Sequence, residues 1–196
     1  MSAPPRLCHN ANVMNRPVAA PSPLLRKLAG SLARVFVLAT LSVSVLASAP
    51  TLALDVGSPA PAFALPDGKG AQVRLEQLRG QVVYVDFWAS WCGPCKRSFP
   101  WMNEMQQKYG DKGLAIVAIN VDKKRDDADR FTRQAVPAFT VVYDGAGAAP
   151  AAYGVKAMPS SYLIDARGTI VEVDQGFRDD RKAALEERIR ALVAAR

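Results

Sequence analysis

Histidine is nearly missing from this chain. His9 is the single one among 196 residues, and cysteine occurs three times, at Cys8, Cys92 and Cys95. Both Cys8 and His9 lie near the N-terminus, so a chain shortened there keeps two cysteines and no imidazole. A structural zinc site wants four Cys or His ligands, and no metal is expected. Acidic residues are absent from residues 1–53, which carry Arg6, Arg16, Arg26, Lys27 and Arg34. The rest of the chain holds 20 Lys and Arg against 18 Asp and Glu, so only +2 of the formal +7 belongs to it. Without a strongly basic domain, nucleic acid is not an expected partner. There is no phosphate-cradling P-loop and no Gly-rich dinucleotide fingerprint, so no organic cofactor is expected. No internal repeat is visible.

Long apolar runs are scarce as well. "VFVLATLSVSVL" (35–46) is uncharged and apolar over 12 residues, enough for the core of an export signal and short for a membrane span. "LLRKLAGSLAR" supplies the basic region before it and "ASAPTLA" the small residues after it. The segment is read as a signal peptide cleaved after Ala53. Left uncleaved, the uncharged stretch from Val35 to Leu54 would serve as a membrane anchor. On either reading residues 54–196 form one domain outside the cytoplasm, in the periplasm, with 49% hydrophobic residues in the chain to build a core.

Within that domain, 54–73 is a Pro/Gly-rich lead-in and "VRLEQLRG" (73–80) a short element. "VVYVDFW" (82–88) reads as a strand buried on both faces, because its apolar character is unbroken. A helical pattern covers 95–110 and stops at Gly110. "LAIVAINV" (114–121) is a second buried strand. Residues 126–136 form a helix with an acidic start, where Asp126 is the expected cap. A strand at 139–144 and a short helix at 146–155 follow. "SSYLID" (160–165) and "TIVEVD" (169–174) form a hairpin around "ARG". An amphipathic helix at 179–196 ends the chain. Strands alternating with helices predict an α/β layered fold, a mixed central sheet with helices on both faces.

Cys92 and Cys95 sit where the strand at 82–88 gives way to a helix. As a structural staple the pair would close a loop of two residues and stabilise little. As a working dithiol its placement makes sense. Free N–H groups and the helix dipole favour a thiolate at Cys92, and a lowered pKa makes it the nucleophile. Cys95 lies one turn on, within disulfide reach, and can resolve a mixed disulfide. Pro94 suits a helix start, where its missing N–H costs nothing. Trp91, beside Cys92, is placed on the exposed rim as a contact surface. Asp86 interrupts an apolar strand and is expected to be buried with a raised pKa. "DKKRDD" (122–127) reads as a solvated loop.

"VDFWASWCGPCK" resembles the thioredoxin active-site signature, with Pro100 at the position of the helix-kinking proline. "YGVKAMPSSYLIDARGTIV" (153–171) resembles the second thioredoxin landmark. The lead-in, "VRLEQLRG" and the extra segment 123–152 are similar to the exported TlpA/ResA-like members of the redoxin group, over about residues 55–195. The resemblance implies a thioredoxin-like fold and a thiol–disulfide oxidoreductase. It implies that Asp86 helps move the Cys95 proton, that the Met158–Pro159 bond is cis, and that the Met158 backbone pairs with an extended substrate chain. Many TlpA-like members carry an uncharged amide where this chain has Asp86. Gly93–Pro94 is the dipeptide of reducing thioredoxins, which points to reduction of clients. The implied partners are disulfide-bearing proteins such as apocytochrome c or a copper-site protein, with electrons from a membrane donor of the DsbD/CcdA type, and the expected state is a monomer. Two rival functions remain: a redoxin-type thiol peroxidase, which wants Thr or Ser where this chain has Ala89, and a non-catalytic binding module, which would have no need of the dithiol.

Overall fold

The structure is a computed structural model that describes residues 54–196. The export signal or anchor, and the boundary at residue 53, lie outside the described residues. Among these residues no helix is long and apolar enough to cross a membrane.

The chain enters through a small hairpin, β1 (Ala64–Pro66) with β2 (Gln72–Arg74), around the end of the segment read as a Pro/Gly-rich lead-in. The side chain of Asp67 builds this turn by accepting the N–H groups of Lys69 and Ala71, both at 2.8 Å. A 3₁₀ turn at Leu75–Leu78 follows. Then comes β3 (Val82–Trp88), in which all seven residues are buried. Its continuous apolar run fits the middle of a sheet covered on both faces.

Helix α1 (Gly93–Tyr109) returns the chain to β4 (Leu114–Asn120), which runs parallel to β3 from Val82↔Leu114 to Trp88↔Asn120. Helix α2 (Arg125–Ala135) crosses to β5 (Thr140–Tyr143), parallel to β4. Asp126 is not the cap of α2. Lys124 holds that place without a side-chain bond, and Asp126 and Asp127 lie in the first turn, where the dipole still favours them. Asp144 instead caps the five-residue α3 (Ala148–Ala152), accepting from Gly147 N at 2.9 Å and Ala149 N at 2.6 Å. Strand β6 (Ser160–Ile164) pairs antiparallel with β3, and β7 (Ile170–Gln175) antiparallel with β6. The tight turn between them is tied by Asp165, which accepts from Arg167 N and Thr169 N. Gly168 there takes φ 87°, a conformation that suits a residue without Cβ. Helix α4 (Lys182–Ala194) closes the chain.

The sheet order is β5-β4-β3-β6-β7, so the parallel and antiparallel halves meet at β3. Alternation along β3 divides the core. Val82, Tyr84 and Trp88 face α1, α2 and α4 through Phe99, Met102, Ala128, Leu185 and Ile189. Val83, Val85 and Phe87 face the lead-in and α3 through Phe63, Leu75, Ala149 and Tyr153. Both faces carry helices, unequally: three pack on one, and a single short helix with the entry hairpin covers the other. This is the mixed α/β sheet expected from the sequence.

Candidate active site

Two loops, each at an end of a central strand, build the site. The first follows β3. Cys92 is the N-cap of α1, with extended backbone at φ −84°, and its Sγ accepts the Cys95 N–H at 3.3 Å. Gly93 and Pro94 occupy the first positions of the helix, where the proline has no bond to lose. Cys92 and Cys95 are joined by a disulfide across 5.3 Å between their Cα atoms. Cys92 is 6% exposed and Cys95 fully buried, so an incoming group meets Cys92 first. Trp91 stands out at 70% exposure beside it. Trp88 is buried against Phe99 and Phe131, and Trp101 packs edge-on to Tyr84. Pro100 lies inside α1 on its exposed side. The Ser98 hydroxyl donates to the Cys95 carbonyl at 2.7 Å, adding a buried bond beneath the second cysteine.

The second loop precedes β6. Its Met158–Pro159 peptide is cis. Pro159 is buried and its carbonyl accepts from Gly176 N at 2.7 Å, while Ser160 Oγ donates to the Ala157 carbonyl at 2.7 Å. Met158 is half-buried and packs against the cluster that contains both cysteines. Both cysteines and Met158 thus belong to the same face of the core, and Trp91 is exposed next to Cys92 in the chain.

Asp86 lies on the α1 side of β3, by its alternation with Tyr84 and Trp88, and is 1% exposed. Burial holds its carboxyl well above the usual carboxylate range. Its Oδ2 has no hydrogen-bond partner, and neither has Nε1 of Trp88 two residues on. The energetic reason to expect a proton on Asp86 is plain: an ion here would be buried with no hydrogen bond to Oδ2.

One part of the site was read otherwise in the sequence. Asp122, placed in a solvated loop, is 5% exposed. Its Oδ2 accepts from Ser90 N at 2.8 Å and from Asn120 Nδ2 at 2.7 Å, and its Oδ1 accepts the Ser90 hydroxyl at 3.0 Å. The Asp122 N–H donates back to Asn120 Oδ1 at 3.0 Å. This knot ties the turn before Trp91 and Cys92 to the end of β4. The only signal for it was position: residue 122 follows a buried strand directly. Ala89, where a peroxidase would want Thr or Ser, is fully buried. Among the described residues no three His, Cys, Asp or Glu side chains gather where they could hold a metal ion.

Comparison with known proteins places this arrangement. The Redoxin family pattern matches residues 55–189. The thiol-disulfide oxidoreductase ResA of Bacillus thuringiensis subsp. konkukian is 33% identical over 139 residues, 71% of this chain and 79% of that protein. ResA of Geobacillus thermodenitrificans is 37% identical over 136 residues, covering 68% and 78%. Among solved structures, a protein of Chlorobium tepidum described as a candidate thiol:disulfide interchange protein DsbE aligns with TM-score 0.69 and 52% identity. That match covers 71% of this chain and 99% of the other.

Proposed function

This chain belongs to the redoxin family and is a thiol–disulfide oxidoreductase of the ResA/DsbE kind, and we propose that it works outside the cytoplasm as a reductant of protein disulfides. Cys92 attacks one sulfur of a client disulfide, forming a Cys92–client bond and expelling the other client sulfur, which takes a proton from solvent. Cys95 then gives its proton to Asp86 and attacks Cys92 Sγ. The Cys92–Cys95 disulfide forms and the client's second thiol leaves reduced. Two electrons pass from the dithiol to the client. A dithiol donor in the membrane, of the DsbD/CcdA type, returns them, and apocytochrome c or a copper-site protein is the client class. The domain acts as a monomer, with the disulfide as its sole redox group. Trp91 and the Met158–Pro159 loop receive the client's extended chain.

The observation that carries the direction is the character of the dithiol's surroundings. A strong oxidant owes its potential to a stabilised reduced form. Here both sulfurs sit in an apolar cluster, Cys92 Sγ accepts one backbone N–H, and the buried Asp86 brings no positive charge. With that single N–H to hold a thiolate, the reduced form gains little stabilisation and the potential stays low. Equilibrating the purified protein against glutathione buffers tests this. A potential near or below about −270 mV supports the reductant, and one near about −120 mV reverses the direction.

A further inference from the structure

Asp86 sits in the middle of a cross-strand row whose two halves differ in kind. On one side its register partner is Ala118 of β4, with Val141 of β5 beyond. On the other it is Ser161 of β6, with Asp174 of β7 beyond. Cross-strand partners point to the same face, so the whole row projects toward α1 and α4. The first half is hydrocarbon and can neither hold nor pass a proton. The second is polar all the way to solvent. Ser161 is buried, Asp174 is partly exposed, and Arg181 lies 3.2 Å from Asp174 and 2.6 Å from Glu172. Between them lies a cavity of about 10 Å³, lined by Tyr84, Ser161, Asp174 and Arg181 among others. That is close to the room one water molecule needs, in a setting with polar partners for it.

A proton on Asp86 needs such a way out. A carboxyl that already holds one cannot accept another from Cys95, so it must empty before each resolving step. While a client is bonded to Cys92, the mouth of the site is occupied, and the Ala118 side is closed by apolar packing. We propose that Ser161, the adjoining cavity and the Asp174–Arg181 pair are the proton route of the site, connecting Asp86 to solvent through the β6–β7 side of the sheet. The proposal rests on the reading that Asp86 takes the Cys95 proton. One proton moves per turnover: the Cys95 thiol yields it to the Asp86 carboxylate, and Asp86 passes it to the Ser161 oxygen. The hydroxyl's own proton goes to water in the cavity and on to solvent beside Asp174. No electrons travel along the row. Tyr84 lies on the same face of β3 as Asp86 and shares a buried cluster with Cys95 of α1, Glu172 and Asp174 of β7 lie on the same face as Ser161, and Arg181 and Lys182, the first residue of α4, line the cavity with Tyr84, Ser161 and Asp174. Strand β4 contributes Ala118 alone. Tyr84 reports the same electrostatic continuity: burial first and the Asp86 charge second push its phenol up, the Ser161 hydroxyl pulls the other way, and Asp174 and Glu172 push with Asp86.

The test is stopped-flow reaction of the reduced full-length chain, carrying Cys8→Ser so that only the Cys92–Cys95 pair reacts, with 5,5′-dithiobis(2-nitrobenzoate), which releases one chromophore on Cys92 attack and a second when Cys95 resolves. Asp86→Asn should slow the second release about a hundredfold, and Ser161→Ala about tenfold with an enlarged solvent isotope effect, each read as the rate of the second release relative to the first. Ser161→Thr, which keeps a hydroxyl, should return the second release to within about twofold of the parent. A parental second release in Ser161→Ala, or one equally slow in Ser161→Thr, overturns the route while leaving Asp86's role intact if Asp86→Asn is slow. A parental rate in Asp86→Asn removes the underlying reading and the route with it. Should Ser161→Ala not fold, Asp174→Asn on the accessible end decides: slowing of about threefold supports the route and a parental rate overturns it.

Discussion

Asp86 and Asp122 are both buried carboxylates close to the same turn, and the protein treats them in opposite ways. Asp122 accepts three hydrogen bonds, from Ser90 N, Ser90 Oγ and Asn120 Nδ2. Asp86 has an oxygen with no partner and lies against Ala118 on one side. The difference teaches that burial alone does not mark a working carboxyl. A satisfied one fixes a loop. An unsatisfied one pays for its ionisation and so becomes a place where a proton can be kept and released.

Three substitutions test that contrast. The largest stability effect is expected at Asp122. Asp122→Ala strands the buried Asn120 amide and both donors of half-buried Ser90 and should cost about 3 kcal/mol in denaturant unfolding. A loss below about 1 kcal/mol would mean that water replaces the carboxylate and that the knot is not structural. Asp86→Ala should act in the reverse sense, raising stability by about 2 kcal/mol at pH 8, because it removes an unpartnered buried group. The pH dependence follows from the raised folded-state pKa of Asp86. Between the unfolded value and the folded one, the native chain binds more protons than the unfolded chain, so the parent loses stability as pH rises through that window. The advantage of Asp86→Ala should therefore shrink toward pH 4, and a difference that stays flat from pH 4 to pH 8 would break the comparison. Ser90→Ala carries the smallest effect. It removes one accepted hydroxyl from Asp122 and keeps the backbone bond, for about 1 kcal/mol. If the Cys92 loop stays in place, its rate of attack on a small disulfide should change less than about threefold.

Much of the fold was legible because it is written locally. The unbroken "VVYVDFW" run could only be a central strand, the Cys92–Pro94 junction could only open a helix, and "ARG" between two β-rich segments could only turn. The hairpin within the lead-in was not foreseen because β1 and β2 are three residues each, too short for any periodicity to show. Asp126 looked like a cap because acids favour helix starts. The helix begins one residue earlier than its acidic pair suggested. Asp122 was taken for solvent because it begins a charged run, and charge patterning carries no information about which single member turns inward.

From its own order of residues this protein determined its strands and helices and placed a nucleophilic cysteine at a helix start with its partner one turn on. These depend on neighbours within a few positions, where propensity, dipole and periodicity act. Tertiary structure alone decided that Ser90 meets Asp122, that Asp86 has Ala118 on one flank and Ser161 on the other, and that Asp174 continues the row to solvent. Those pairings span residues far apart in the chain, and they follow from strand order and register. A side chain's partner, and with it the cost of its charge, is set by which strands lie beside it and by how far each has slid.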